Sequence, residues 1–138
     1  MKYSPTRHAV VALMLVLFAG AFATAADLPA DDAKLIEAAK VPIFNGAVFV
    51  NGNQDVGFRF ATGVAPEEVR AWYKEKLGEW SLYEEYGGWI LYEGAPGAGM
   101  GDLMTKKQVA VQKNDKLGEW YGLDPALSTE IVIMIPKQ

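Results

Sequence analysis

The sequence predicts an α+β domain: an antiparallel sheet of about five strands, one main helix over residues 66–77 packed on one face, and a short N-terminal helix. Three observations predict it. Val56, Phe58 and Phe60 alternate with Gly57, Arg59 and Ala61, the period of a strand with one buried face. Val69, Trp72, Tyr73 and Leu77 form one apolar stripe at helical spacing. Residues 129–135, Thr-Glu-Ile-Val-Ile-Met-Ile, are a β-branched run of the kind found in a central strand covered on both faces. Strands joined by turns, with helices set apart from them, favour antiparallel pairing.

The chain opens with Lys2 and Arg7 before an apolar run over residues 9–20, and Ala23-Thr24-Ala25 or Thr24-Ala25-Ala26 then offers small residues to a signal peptidase. Residues 1–26 are read as a cleavable export signal, and residues 27–138 as a single domain in the periplasm of a bacterium. The uncharged stretch over residues 9–26 is 18 residues long, the lower limit for a spanning helix, and Gly20 with the Ala/Thr-rich end favours cleavage over an anchor. With no cysteine in the chain, lipidation after the cleavage site is closed, and no stable membrane anchor is expected afterwards.

Along the domain, Asp31 or Asp32 is placed to cap a helix over 33–39, which must stop before Val41-Pro42 because proline steers its predecessor to extended geometry. Residues 46–50 read as a strand, and Asn51-Gly52 as the turn into the alternating strand that follows. Ala65-Pro66-Glu67-Glu68 starts the main helix, with proline at its first position and two glutamates at the positive end of its dipole. Gly78 is expected to end it in a left-handed conformation. Strands over 80–86 and 89–93 then flank Gly87-Gly88, a two-residue hairpin turn. Counting outward from that turn pairs Tyr83 with Tyr92, puts Trp80, Leu82, Tyr86, Trp89 and Leu91 on the core face, and puts Tyr83, Ile90 and Tyr92 on the other. The glycine-rich segment 94–101 has no periodicity and reads as a mobile loop. A strand over 108–111 and a connection over 113–128 lead to the last strand.

Composition excludes several function classes. Loss of Lys2 and Arg7 takes 13 basic residues to 11 against 17 acidic, a net charge of about −6, which repels nucleic acid and anionic lipid. His8 is lost with the signal, so the domain has neither histidine nor cysteine, and zinc, copper and haem need one of them in nearly every common arrangement. No metal and no cofactor are expected. Asn51, Asn53 and Asp55 alternate like calcium ligands, but Val56 and Thr62 stand where such a loop needs glycine and glutamate. Gly94, Gly97, Gly99 and Gly101 match neither dinucleotide nor P-loop spacing. No Ser-x-x-Lys spacing supplies a histidine-free nucleophile.

Lys76-Leu-Gly-Glu-Trp80 recurs as Lys116-Leu-Gly-Glu-Trp120. The flanks differ, so the match reads either as a duplication or as two local turns in which Gly bends the chain and Trp anchors it in the core. Val41-Pro42, Gly46, Pro66-Glu-Glu-Val69, Trp72-Tyr73, Leu77 and Trp80 carry a resemblance to small exported proteins of Gram-negative bacteria whose role is not established, over roughly residues 41–93. The resemblance implies an exported α+β domain and transfers no site residue.

Two functional classes stand. One is a non-catalytic periplasmic binding or protein-interaction module, contacting an envelope protein, a peptidoglycan strand or an apolar small molecule through Tyr83, Ile90 and Tyr92 of the aromatic hairpin or through the glycine-rich loop. Those side chains form that surface only if the 113–128 connection does not fold over them as second-layer core. The other is a carboxylate-based hydrolase of cell-envelope glycan, which requires two of Glu79, Glu84, Glu93 and Glu119 to converge in one cleft.

Overall fold

The computed structural model describes residues 27–138, and the signal expected over residues 1–26 lies outside them. The described residues form α1 (Ala30–Ala38), β1 (Val48–Asn53), β2 (Gly57–Thr62), α2 (Pro66–Lys76), β3 (Ser81–Tyr83), β4 (Ile90–Tyr92), α3 (Met100–Leu103), β5 (Gln108–Lys113), α4 (Leu117–Tyr121) and β6 (Thr129–Met134). The class is α+β as expected, with six strands rather than five, in the order β1-β2-β6-β5-β4-β3. Every neighbouring pair is antiparallel. The last strand joins the sheet: β1 and β2 form a hairpin at one side, β3, β4 and β5 a meander at the other, and β6 enters between β2 and β5. Among the described residues no helix is long and apolar enough to cross a membrane.

Register sorts the core. Phe58 and Phe60 pair with Ile133 and Ile131, which pair in turn with Val109 and Val111, so all six side chains share one face. Val69, Tyr73 and Leu77 of the α2 stripe are buried in the same cluster, together with Ile36, Leu91 and Trp89. Pro66 sits at the start of α2, Glu67 and Glu68 in its first turn and Lys74 and Lys76 in its last, each charge complementing the helix dipole. Trp72 is only half-buried. It lies at the rim of the stripe, edge-on to Phe44 at 5.2 Å and to Tyr73 at 4.9 Å.

Several local expectations are corrected. Asp31 and Asp32 occupy the first turn of α1 without capping it, and Pro29 is the cap residue. The turn between β1 and β2 falls at 54–56, because Asn53 Oδ1 accepts from the Asp55 and Val56 N–H groups at 2.8 and 3.2 Å and closes an Asx turn there. Gly52 stays inside the strand, where a Cβ would meet the Gly57 carbonyl. Gly78 is not left-handed; Leu77 leaves the helix at φ −116°.

The β3–β4 register moves by two residues. Tyr83 pairs with Ile90, Leu82 with Leu91 and Ser81 with Tyr92, because residues 84–89 form a longer connection with a 3₁₀ turn at Glu85–Gly87. A shift of two preserves side-chain parity, so Leu82, Trp89 and Leu91 still face the core and Tyr83, Ile90 and Tyr92 the other side. Tyr86 is the exception, exposed in the turn at φ 55°.

Candidate functional site

The face opposite α2 carries the candidate site. One row of paired residues crosses it, Tyr83–Ile90–Ala110–Val132–Arg59–Asn51, with each neighbour in register on the next strand. Its two ends are covered differently. Ile90, Ala110 and Val132 in the middle are half-buried, forming a short apolar strip open to solvent.

At the Tyr83 end, two of the three residues expected to form a contact surface are covered. Tyr83 is 6 % exposed and Tyr92 1 %, in a second small core with Leu103, against which Ile90 and Ala98 pack. The cover is not the 113–128 connection but the glycine-rich segment and α3. Tyr92 Oη donates to the Ala95 carbonyl at 3.1 Å and accepts from the Ala98 N–H at 3.2 Å, and Ser81 Oγ donates to the Gly94 carbonyl at 2.7 Å. Gln108 Nε2 donates to the Leu103 carbonyl at 2.6 Å. A segment without periodicity is thus held by side chains of the strands beneath it. Of the three expected residues, only Ile90 keeps access to solvent.

At the Arg59 end lies a polar cluster centred on Glu130, 4 % exposed. Its Oε2 accepts from Arg59 Nε at 2.9 Å and Asn114 Nδ2 at 3.3 Å, and its Oε1 accepts from Gln112 Nε2 at 2.6 Å. Arg59 Nη1 donates onward to Asn51 Oδ1 at 2.9 Å. A buried carboxylate is tolerated when its lone pairs are filled and a counter-charge is at hand, and this cluster supplies both. Among the described residues no buried side-chain nitrogen or oxygen lacks a partner.

The same arginine supports an aromatic pair. Its guanidinium lies 5.5 Å from the Tyr121 ring centroid, a cation–π distance that bridges β2 to α4. Leu117 anchors α4 by complete burial, and Gly118 lets the 123–125 segment approach, since a Cβ there would stand 2.9 Å from the Leu123 carbonyl oxygen. Gly122 ends the helix in the left-handed region at φ 66°. Trp120 is thereby held on an ordered turn at 62 % exposure, beside a Tyr121 that is itself exposed.

This placement bears on the repeated pentapeptide. The first copy spans the end of α2, where Leu77 is buried and Trp80 half-buried; the second opens α4, where Leu117 is buried and Trp120 faces solvent. The same five residues take two conformations, and in the second the anchor is leucine. Trp120 is thus not the core anchor that its turn context predicts, and no local pattern links Arg59 to Glu130, which lie 71 residues apart.

Glu93 lines a cleft of about 590 Å³ at one end of the sheet and pairs with Lys107 at 3.6 Å, while Glu79, Glu84 and Glu119 lie outside that cleft. Glu119 pairs with Lys116 at 3.2 Å. The three oxygens of the calcium-like pattern also serve separate partners: Asn51 accepts from Arg59, Asn53 closes its own turn and Asp55 pairs with Lys137. Comparison with known proteins finds no matching family model, no similar curated protein and no similar solved structure.

Proposed function

We propose that this protein is a non-catalytic binding or interaction module of the periplasm, released there by cleavage of the signal over residues 1–26, and that it engages an envelope protein through Trp120 and Tyr121 beside the open strip Ile90–Ala110–Val132. The observation that carries the reading is the exposed Trp120 on a turn fixed from beneath by Leu117, Gly118 and the Arg59–Tyr121 contact. A large aromatic with only two side-chain torsions, carried on a fixed turn, loses little conformational entropy on binding, the property that makes tryptophan and tyrosine frequent interface anchors. The absence of Glu79, Glu84 and Glu119 from the cleft that Glu93 lines supports binding over the glycan-hydrolase alternative. Lys2 and Arg7 before the apolar run over residues 9–20, followed by Ala23-Thr24-Ala25, support export.

The test uses Trp120→Ser. Its side chain is mostly in solvent, so the variant keeps the parent's melting temperature and loses capture of the envelope protein that the parent retains in a periplasmic pull-down. Equal capture by both proteins sinks the Trp120 surface. The export component is read separately by intact mass, which is expected to give an amino terminus at Ala26 or Asp27; recovery of only full-length chain in the membrane fraction refutes cleavage.

A further inference from the structure

Residues 94–106 form a loop that is closed at its base and lightly fastened above it. The Glu93 N–H donates to the Lys107 carbonyl at 3.0 Å and the side chains of the same two residues pair at 3.6 Å, so the last rung between β4 and β5 holds both ends of the loop together. Loops whose ends are adjacent behave as self-contained surface units. The main-chain bonds of this one are internal: the Asp102 and Leu103 N–H groups donate to the Gly99 carbonyl at 3.0 and 3.2 Å, and those of Thr105 and Lys106 to the Asp102 and Leu103 carbonyls at 3.1 Å. Gly94, directly after the base, has φ 133°, a turn that glycine makes without strain. Of residues 94–105, Leu103 alone is buried, and Ala98 is half-buried. The remaining attachment to the sheet is through the side chains of Ser81, Tyr92 and Gln108.

We infer that residues 94–106 are a hinged cover, latched by Leu103, that lifts off Tyr83 and Tyr92 while the sheet stays folded. Leu103 packs with those two rings in a cluster separate from the main core, so its release leaves the core under α2 untouched. A segment with few buried side chains opens at a lower free energy than the whole domain unfolds. Tyr83 lies in one row with Ile90, Ala110 and Val132, and the cover closes only the Tyr83 end of that row. Lifting it lengthens the open apolar strip by two aromatic rings; the closed cover withholds them. The device is separate from the Trp120 surface, and its test needs no partner.

Amide hydrogen exchange of the purified protein, followed by NMR at neutral pH in low urea, reads the opening. The hydrogen-bonded amides of Ala98, Leu103 and Lys106 should exchange together, roughly tenfold or more faster than those of Val109 and Val111 in β5, and with little dependence on urea. Ile133→Val, a small loss in the main core, should speed exchange at Val109 and Val111 roughly two- to tenfold and leave the three cover amides unchanged. Leu103→Ala, which removes the latch, should speed the cover amides roughly tenfold or more. In that variant tetranitromethane should nitrate Tyr83 and Tyr92 faster than in the parent, and well ahead of Tyr73, which is buried in the main core. Cover amides that follow the strand amides in urea or in Ile133→Val mean that the segment opens only with the whole domain, and overturn the proposal. So do cover amides with no protection in the parent, Tyr83 and Tyr92 nitrated no faster in Leu103→Ala, or Tyr73 nitrated as fast as they are.

Discussion

Replacing Tyr73 by Phe removes one oxygen from the centre of the domain and leaves its ring in place. That oxygen accepts from the Phe44 N–H at 3.2 Å and donates to the Pro42 carbonyl at 3.0 Å, so it ties α2 to the segment that leads into β1. Each neutral hydrogen bond contributes about 1 kcal/mol net, and the variant should lose about 2 kcal/mol. With an m-value of about 1 to 2 kcal/mol/M, the urea midpoint falls by about 1 to 2 M. A second readout is independent of that figure. Burial pushes the Tyr73 phenol well above its ordinary value of 10.0, against a smaller downward pull from the Phe44 N–H. Above that ordinary value the unfolded chain releases the proton while the native protein still holds it, so stability is fully present below pH 10.0 and declines as pH rises further. Tyr73→Phe lacks the group and should decline less steeply. Some slope persists in both proteins, because Tyr83 is raised as well, by burial first and then by the Glu85 charge. An unchanged urea midpoint at neutral pH refutes the bridge to Pro42 and Phe44; identical alkaline slopes refute the buried phenol.

Changing Tyr83 and Tyr92 together to Ser should cost more than about 4 kcal/mol, since both rings belong to the core beneath α3. A thermal melt equal to the parent's would show that the 94–103 segment does not cover them. Glu130→Ala strands the Arg59 guanidinium and two amides, and because Arg59 keeps 31 % of its surface in water the loss should be about 2 to 3 kcal/mol; Glu130→Gln, which keeps an acceptor, should lose less in the same urea titration. Gly118→Ala drives a Cβ to 2.9 Å from a backbone oxygen and should cost about 1 to 3 kcal/mol. Gly122→Ala, strained only by its φ of 66° in open space, should cost about 1 kcal/mol, and the reverse order would contradict the close approach at Gly118.

Periodicity by itself determined the class of the fold, the main helix and the sides of the strands. The stripe of Val69, Tyr73 and Leu77 and the alternation through Phe58 and Phe60 are local properties, and a face once apolar must be buried whatever it meets. Even the wrong hairpin register left Leu82 and Leu91 on the core side, because an error of two residues does not change parity. The tertiary structure alone decided where each apolar face ends. Both faces of β4 carry large apolar side chains, and nothing local says that a glycine-rich segment will lie over Tyr92 while the strip at Ala110 and Val132 stays open. That outcome depends on the hydroxyls of Ser81 and Tyr92 and the side-chain amide nitrogen of Gln108 reaching backbone groups on or near the segment. The two Lys-Leu-Gly-Glu-Trp copies make the same point: identical residues bury Leu77 and Leu117 alike, yet Trp80 is half-buried and Trp120 exposed, since a side chain's burial is set by whatever the rest of the chain places against it.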